Sequence, residues 1–358
     1  MNKKITVFLL FLAWLILPAQ PPNGYYNAAT GKSGEALRLS LHTIIKNHTT
    51  LSYNALWTAF HTTDMLPDNS NRIWDMYSNC DFTYSDNQCG NYSNECDCYN
   101  REHSMPKSWF NDASPMYTDL FHLYPTDGMV NNKRSNYPFG EVGNAAYISA
   151  NGGSKLGSAR NGLGYSGTVF EPIDEYKGDF ARTYFYMSVC YRDKRLDYGE
   201  GSTMFNGSTL KEWAVQMLLD WSTNDPVSEK ETNRNNAVYA LQHNRNPFID
   251  YPELAGLIWG ADSVNSFQPD DDSSTIISTS LLSAMLYPNP ATMQLNVVMP
   301  VHSKANIVIY DVIGKAIRNE QMNGYSKIIE LDGLPAGLYF LKMSEQNRTK
   351  IYKFLISD

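Results

Sequence analysis

The stretches YNREHSMPKSWF at positions 99–110 and TDLFHLYPTDGMVNNKRSN at positions 118–136 decide how the centre of this chain folds. The interval from His103 to Asn131 has room for a strand, a turn, a second strand and the start of a helix. Neighbouring residues of a regular strand point to opposite faces, so Glu102 and His103 serve one site only from a strand end or a loop. Pro106 interrupts the pairing at that place. The pattern predicts a ββα unit.

The reactive groups of this unit suit metal-assisted hydrolysis of a phosphodiester. That reaction needs a base with a pKa near neutrality, a hard cation with oxygen ligands, and donors for phosphate oxygens. His103 is the candidate base, and Glu102 and Asn131 are candidate ligands for Mg²⁺, with Ca²⁺ and Mn²⁺ as alternatives. The candidate donors are Arg101, Lys107, Lys133 and Arg134.

The two stretches resemble the endonuclease I family of secreted bacterial nucleases, which belong to the His-Me finger (ββα-metal) group. Two later segments, 181–187 and 244–250, continue the resemblance in the same order. It implies that His103 is the general base and that Glu102 and Asn131 bind the cation. It also implies largely sequence-independent cleavage of DNA, and often RNA, to 5′-phosphate ends.

One departure from the family concerns the leaving group. Some relatives contact it with an arginine from a long insertion, but the segment 110–116 is short here and contains no arginine. We expect Arg101, Arg134, Arg182 or Arg245 to take that role, and we assign Arg101 and Arg134 to catalysis. The remaining basic residues are assigned to substrate binding: Lys107, Lys133, Arg182 and Arg245.

Several of these side chains have an alternative interpretation. Arg182 lies in an aromatic-rich helical pattern, where pairing with a buried carboxylate is the commoner outcome for an arginine. Arg245 precedes a proline and also reads as the end of a helix. Asp119 orients His103 or caps a turn, and His122 is interpreted as a packing residue near the site.

The N-terminus predicts export. Lys3 and Lys4 precede an apolar run from residue 5 to 17, and Pro18-Ala19-Gln20 follows, which is typical of a signal peptide over residues 1–20. The run is shorter than the roughly 20 residues that span a bilayer. We expect no stable membrane insertion.

Cysteine spacing fits an oxidising compartment. Four cysteines crowd into residues 80–98, and we expect two disulfides among Cys80, Cys89, Cys96 and Cys98, with all three pairings open. Their irregular spacing disfavours the alternative of a zinc site. Cys190 is expected to be a buried free thiol.

Composition limits the classes of function. A hydrophobic fraction of 42% excludes a wholly disordered chain. A net charge of −8 excludes nucleic-acid binding by bulk positive charge, although a few local phosphate contacts remain compatible with it.

The sequence predicts an α+β protein with a mainly helical body around the ββα core. Helices are expected over residues 34–64, 180–191, 210–221 and 229–241, and long irregular loops over 78–99 and 144–167. The predicted organisation is a signal peptide at 1–20, a nuclease domain at 21–265, a linker at 266–281 and a small all-β sandwich at 282–358. We expect a monomer.

The predicted β-domain has no convincing catalytic group, but its sequence motifs are distinctive. Residues 286–291, 309–315 and 334–339 resemble the C-terminal sorting domain of the type IX secretion system. That resemblance implies the type IX machinery as a partner and secretion to the cell surface or beyond. The leading hypothesis is a secreted Mg²⁺-dependent, largely sequence-independent endonuclease acting on DNA, with RNA left open as a further substrate. The alternatives are an exported adhesion protein acting through its β-domain, and a metal-dependent phosphatase or esterase.

Overall fold

The computed structural model describes residues 21–68, 70–199, 203–269, 284–345 and 348–357. The chain divides into two compact units, Met1–Pro269 and Asp270–Asp358. The predicted signal peptide at 1–20 lies outside the described residues, as does most of the predicted linker.

The first unit combines helices with small antiparallel sheets. Its helices are α1 (Gly34–Ile45), α2 (Ala55–Thr63), α3 (Gly128–Arg134), α4 (Lys177–Cys190), α5 (Glu212–Asn224), α6 (Glu229–Gln242), α7 (Pro247–Asp250) and α8 (Leu254–Trp259). Its strands are β1 (Arg72–Ile73), β2 (Phe82–Thr83), β3 (Tyr99–His103), β4 (Leu123–Asp127), β5 (Val142–Ile148), β6 (Lys155–Ala159), β7 (Thr168–Glu171), β8 (Phe205–Asn206) and β9 (Thr209–Leu210). The strands pair as β1–β2, β3–β4, β5–β6–β7 and β8–β9. The α+β class is confirmed.

The centre of the unit is a two-stranded hairpin followed directly by a helix. Strands β3 and β4 pair antiparallel along their whole length, and α3 begins at the residue after β4. Glu102 and His103 are the last two residues of β3, so they lie at a strand end. Asn131 lies in the middle of α3.

Helix α4 is the core helix of the unit. Every residue from Gly178 to Cys190 is buried, so this helix is packed on all sides rather than on one face. Tyrosine and phenylalanine side chains supply most of its bulk, and Cys190 is the buried free thiol that was expected. The helices predicted at 180–191, 210–221 and 229–241 are confirmed as α4, α5 and α6.

The single helical segment predicted over 34–64 is wrong. The chain leaves the helix after Ile45 and starts a second one at Ala55. The intervening residues include asparagine, histidine and threonine, which propagate a helix poorly. Thr49 N–H instead donates to the carbonyl of Gln242 at 2.8 Å, which ties this connection to the end of α6.

The long loop predicted over 144–167 is also wrong, because much of it belongs to the β5–β6–β7 sheet. Glycine and serine were interpreted as loop formers, but at Gly157 the missing side chain permits a close approach of two strands. A Cβ there would lie 2.1 Å from the carbonyl oxygen of Asn144.

The segment 78–99 is mostly irregular, as predicted, and two disulfides cross-link it. The bonds join Cys80 to Cys96 and Cys89 to Cys98. This result selects one of the three pairings that the sequence left open. Cys98 immediately precedes β3, so the cross-linked segment leads directly into the hairpin.

The described residues of the second unit form one antiparallel sheet. Its strands are β10 (Met285–Tyr287), β11 (Gln294–Tyr310), β12 (Ala316–Glu330), β13 (Gly337–Glu345) and β14 (Arg348–Ile356). The long strand β11 pairs with β12, with β10 near its start and with β13 near its end. Alternating residues of these strands, such as Leu295, Val297, Ile307 and Ile309, form a separate apolar core. The two-layer sandwich stays a prediction.

None of the helices in the described part of the chain combines the length and the apolar character needed to span a bilayer.

Candidate active site

The three residues predicted to carry the chemistry lie in one cleft. Glu102 and His103 reach it from the end of β3, and Asn131 reaches it from α3. The cleft has a volume of about 350 Å³. It is lined by Tyr53, Arg101, Glu102, His103, Pro106, Lys107, Ser108, Tyr117, Asn131, Arg134, Ser135 and Asn136.

The carboxyl group of Glu102 is buried and held from one side. Its Oε1 accepts a hydrogen bond from the Tyr77 hydroxyl at 2.9 Å and another from Arg134 at 2.7 Å. Burial raises the pKa of Glu102 to about 7, because desolvation outweighs the opposing effects of Arg134, Tyr77 and Asn131. Both protonation states are therefore accessible near neutral pH.

Asn131 lies beside this carboxyl group. Its amide is close enough to lower the pKa of Glu102 through a hydrogen bond. Its Nδ2 donates to Oδ1 of Asn100 at 2.7 Å, and Asn100 precedes Glu102 by two positions on β3. This bond links α3 to the hairpin and brings two oxygen-bearing side chains together.

The imidazole of His103 has a defined tautomer. Its Nε2 lies 3.0 Å from the carbonyl oxygen of Tyr117, which can only accept, so Nε2 carries the proton. In the neutral ring, Nδ1 then keeps its lone pair. Burial lowers the pKa of His103 to about 3, and His122 and Lys107 add to that effect. The ring is therefore neutral at physiological pH.

Helix α3 is anchored at its N-terminus by Asp127. One carboxylate oxygen accepts from the backbone N–H of Val130 at 2.8 Å, which caps the helix. The other accepts from the backbone N–H of Cys96 at 2.6 Å. The cross-linked segment therefore helps to fix the helix that carries Asn131.

Arg134 is buried beneath the cleft, with 1% of its surface exposed. Besides Glu102, it donates to the carbonyl oxygens of His103 and Ser104. These bonds connect the last turn of α3 to the end of β3. The geometry favours a role in positioning Glu102 and His103 over direct contact with a leaving group.

Arg101 lies on the cleft wall in a different setting. Its guanidinium stacks on the ring of Tyr53 at 3.6 Å and on that of Trp57 at 4.4 Å, and it donates to the carbonyl of Tyr53 at 2.7 Å. Within the described residues it has no carboxylate partner. Of the four candidate arginines, this one presents an uncompensated charge to the cleft.

The two candidate lysines differ in position. Lys107 lines the cleft and pairs with Asp112 at 2.7 Å, with both side chains about half exposed. Lys133 is exposed on α3, with its ammonium 5.7 Å from the ring of Tyr147, and does not line the cleft.

Arg182 and Arg245 lie away from the cleft, which contradicts their predicted contact with substrate. Both are almost fully buried, and each is paired with a carboxylate, Glu231 for Arg182 and Asp250 for Arg245. A buried, ion-paired guanidinium cannot reach a phosphate without exposing its partner. The geometry supports the alternative interpretation of Arg182, in which it forms a buried ion pair.

Asp119 and His122 have structural surroundings. Asp119 caps a turn by accepting from the backbone N–H of Phe121 at 2.9 Å, and its second oxygen accepts from the hydroxyls of Tyr186 and Tyr191. It does not contact His103. His122 is fully buried, with its ring centroid 5.5 Å from that of His103.

Sequence reasoning missed three tyrosines at this site. Tyr77 bonds to Glu102, Tyr117 supplies the carbonyl for His103, and Tyr53 packs against Arg101 and His103. The sequence contains 24 tyrosines, and no local pattern distinguishes these from the ones in the core.

Comparison with known proteins supplies the family. A family model described as Endonuclease I matches residues 33–253. The chain belongs to the endonuclease I family. It is therefore a nuclease, that is, a hydrolase of phosphodiester bonds.

Individual relatives agree with this family assignment. An extracellular ribonuclease from Bacillus amyloliquefaciens is 40% identical over 259 residues, which cover 71% of this chain and 84% of the relative. An extracellular ribonuclease from Bacillus subtilis (strain 168) is 40% identical over 256 residues, covering 70% and 83%. Endonuclease-1 of Buchnera aphidicola subsp. Acyrthosiphon pisum (strain APS) is 26% identical over 132 residues, covering 37% and 44%.

A second family model matches the C-terminal part of this endonuclease I family member. It is described as a secretion system C-terminal sorting domain and matches residues 285–357. The protein is secreted, and its sorting domain implies the type IX route. The match gives no support to the alternative of an adhesion protein acting through this domain.

Proposed function

We propose that this protein is a secreted, divalent-metal-dependent endonuclease with a ββα-metal (His-Me finger) core and little sequence preference. The observation that carries the proposal is the convergence of Glu102, His103 and Asn131 on one cleft. Asn131 is at least 28 positions away from both Glu102 and His103 in the sequence, so the three side chains would rarely share a cleft by chance.

The donor set fits a hard cation such as Mg²⁺. Tyr77 and Arg134 both donate to Oε1 of Glu102, and neither of these bonds uses Oε2. The Nδ2 of Asn131 donates to Asn100, and that bond does not use Oδ1. A carboxylate and an amide oxygen that line one cleft match the preference of Mg²⁺ for a few protein oxygen ligands and several waters. When bound there, the cation would stabilise negative charge on the phosphate and on the departing oxygen.

His103 acts as the general base in this proposal. Its Nδ1 accepts a proton from a water molecule, while the Nε2–H bond to the Tyr117 carbonyl fixes the ring. The low pKa keeps the imidazole neutral, with Nδ1 free of a proton, before substrate arrives. An anionic phosphate entering the cleft raises that pKa, because it stabilises the imidazolium. The base therefore gains strength when substrate is bound.

Arg101 is the arginine that we assign to the reacting phosphate. Its guanidinium is held by two aromatic rings and one carbonyl and is not neutralised by a carboxylate in the described residues. A preorganised donor of this kind stabilises charge that develops in the transition state. Attack by water on phosphorus with departure of the 3′ oxygen would give 5′-phosphate ends.

We infer that both DNA and RNA are substrates. The cleft contacts would be to phosphate, which carries no sequence information and is common to both polymers. RNA is favoured further by the relatives named extracellular ribonucleases, at 40% identity over most of their length.

The test is cleavage of plasmid DNA and of RNA by the secreted protein, with and without EDTA. We expect His103→Ala to reduce cleavage by about 10²- to 10⁴-fold, the usual contribution of general-base catalysis. His61→Ala is the control, because His61 is exposed and does not line the cleft. Activity in EDTA, or an active His103→Ala protein, would refute the proposal.

A further inference from the structure

One wall of the cleft carries two phenol hydroxyls and one ammonium group that the proposed chemistry does not use. Tyr53, Tyr117 and Lys107 line the cleft beside His103, on elements remote from Glu102 and Asn131. Tyr53 precedes α2, whereas Lys107 and Tyr117 belong to two single helical turns between β3 and β4. The rings of Tyr53 and Tyr117 pack against each other, with centroids 4.9 Å apart.

The phenol groups of this wall are available as donors. The Tyr117 carbonyl is used by His103, but its hydroxyl has no hydrogen-bond partner among the described residues. The hydroxyl of Tyr53 has the guanidinium of Arg101 as its hydrogen-bonding neighbour. A guanidinium can only donate, so the O–H of Tyr53 is still free to donate elsewhere.

The charge of Lys107 is also available. Its ammonium lies 5.7 Å from the ring of Tyr117. Its ion pair with Asp112 joins two side chains that are 52% and 51% exposed. Such a pair is worth little in water and exchanges readily for another anion.

The hydrogen-bond donors and the charges of this wall determine which kind of ligand fits it. Two hydroxyl donors and an ammonium, beside a guanidinium, suit a group that only accepts hydrogen bonds and carries negative charge. A stacked base fits less well, because Arg101 covers one face of the Tyr53 ring at 3.6 Å and Tyr117 packs against the same ring. A backbone phosphate meets both requirements.

We propose that Tyr53, Tyr117 and Lys107 form a subsite for the phosphate next to the scissile one. The inference rests on the proposed function, which puts the scissile phosphate between His103 and the cation. A second fixed phosphate would align the strand for in-line attack without reading any base. It would also make a substrate with one isolated charged diester a poor one.

The experiment compares two oligonucleotides of the same sequence. One has natural phosphates throughout, and the other has a single natural diester between neutral methylphosphonates. In both, a charged diester is available for hydrolysis, but only the first offers a charged neighbour. The variants are Tyr53→Phe, Tyr117→Phe and Lys107→Met, which remove single donors and keep most of the packing.

On the natural oligonucleotide we expect Tyr117→Phe and Tyr53→Phe each to raise KM by about 10-fold, the loss typical of a hydrogen bond to a charged group. On the methylphosphonate substrate, variant and parent should differ by less than about 2-fold. Lys107→Met should weaken binding and reduce the slope of log affinity against log salt by about 0.7 to 0.9. The control is Tyr198→Phe, because Tyr198 is an exposed tyrosine beside a cation, Arg195, outside the cleft.

Two results would overturn the subsite. An unchanged KM on the natural oligonucleotide would show that the wall does not touch substrate. An equal loss on both oligonucleotides would show that the tyrosines act only through His103. In either case the parent would still cleave in a metal-dependent way, whereas a parent inactive on both substrates would refute the proposed function itself.

Discussion

The hydroxyl of Tyr77 offers a test of how Glu102, the proposed metal ligand, is held. Tyr77 is fully buried, and its hydroxyl donates to Oε1 of Glu102 at 2.9 Å. Its ring packs against Phe170 and Phe180, with centroids 4.8 and 5.7 Å away. Tyr77→Phe removes the hydroxyl and keeps these aromatic contacts, so it tests the hydrogen bond alone.

The expected loss of Mg²⁺ affinity depends on the hydrogen bond that Glu102 keeps after the Tyr77 hydroxyl is removed. Removing a hydrogen bond to a charged group costs about 1.5 to 3 kcal/mol. Loss of a residue that orients a metal ligand typically weakens metal binding by roughly 10- to 100-fold. Arg134 still holds the same oxygen at 2.7 Å, so we expect the lower end, about 10-fold weaker Mg²⁺ binding.

The assay is Mg²⁺ binding by calorimetry on the full chain, together with the Mg²⁺ dependence of cleavage. Tyr186→Phe is the matched control. Its hydroxyl is equally buried and donates to a carboxylate, Asp119, at 2.7 Å, but that pair does not line the cleft. Both variants should lose stability, and only Tyr77→Phe should lose affinity for the cation.

A Tyr77→Phe protein with parental Mg²⁺ affinity would refute this reasoning. So would an equal loss of affinity in both variants, since that would trace the effect to general loosening of the core. Cleavage restored to the Tyr77→Phe protein by excess Mg²⁺, with an unchanged maximal rate, is the outcome that the geometry predicts.

Three further predictions concern charge. The pKa of Glu102 is about 7 in the folded protein and about 4.5 in the unfolded chain. The stability of the metal-free protein should therefore fall as the pH rises from about 4.5 to about 7. Glu102→Gln should remove that dependence on pH in thermal melts. Mg²⁺ binding should release more protons at pH 6 than at pH 8, because Glu102 must lose its proton to bind the cation; this can be measured by calorimetry in buffers of different ionisation enthalpy. Equal release at both pH values would contradict this assignment. Arg182→Met should destabilise the fold by about 3 to 5 kcal/mol in denaturant titrations, because it leaves Glu231 buried without its cationic partner. Adding Glu231→Leu should recover only part of that loss, because Glu231 also accepts from the backbone N–H of Ser228 at the start of α6. Weaker substrate binding without loss of stability would instead favour the predicted phosphate contact.

Local patterns predicted the elements that have strong local signals. The hairpin and α3 follow from the spacing of a few reactive residues and a proline, and α4 to α6 follow from apolar periodicity. The secondary-structure predictions failed where the local sequence is compatible with more than one backbone structure. Glycine at position 157 marks a close approach of strands rather than a loop, and the chain around Thr49 leaves the helix to bond with the end of α6.

The candidate site likewise contains residues that the sequence predicted and residues that it did not. Glu102, His103 and Asn131 were found because they lie in a motif, and the structure brings them together. Tyr77 was not found, because its role depends on a contact across 25 positions that no sequence pattern marks. Arg182 was assigned to substrate because its carboxylate partner, 49 positions away, cannot be inferred from one sequence.

The placement of charge in the cleft explains how a chain with a net charge of −8 can act on a polyanion. Glu102 is balanced by Arg134 in a buried pair, so neither contributes much field to the open cleft. In the proposed mechanism, the excess positive charge there would come from Arg101, from Lys107 once a phosphate displaces Asp112, and from the proposed cation. Attraction would therefore be local, limited to one or two phosphates, while the net charge of the chain opposes binding along the whole polymer. Such a distribution predicts weak, salt-sensitive binding and rapid release of cut strands, as expected of the sequence-independent cleavage that we propose.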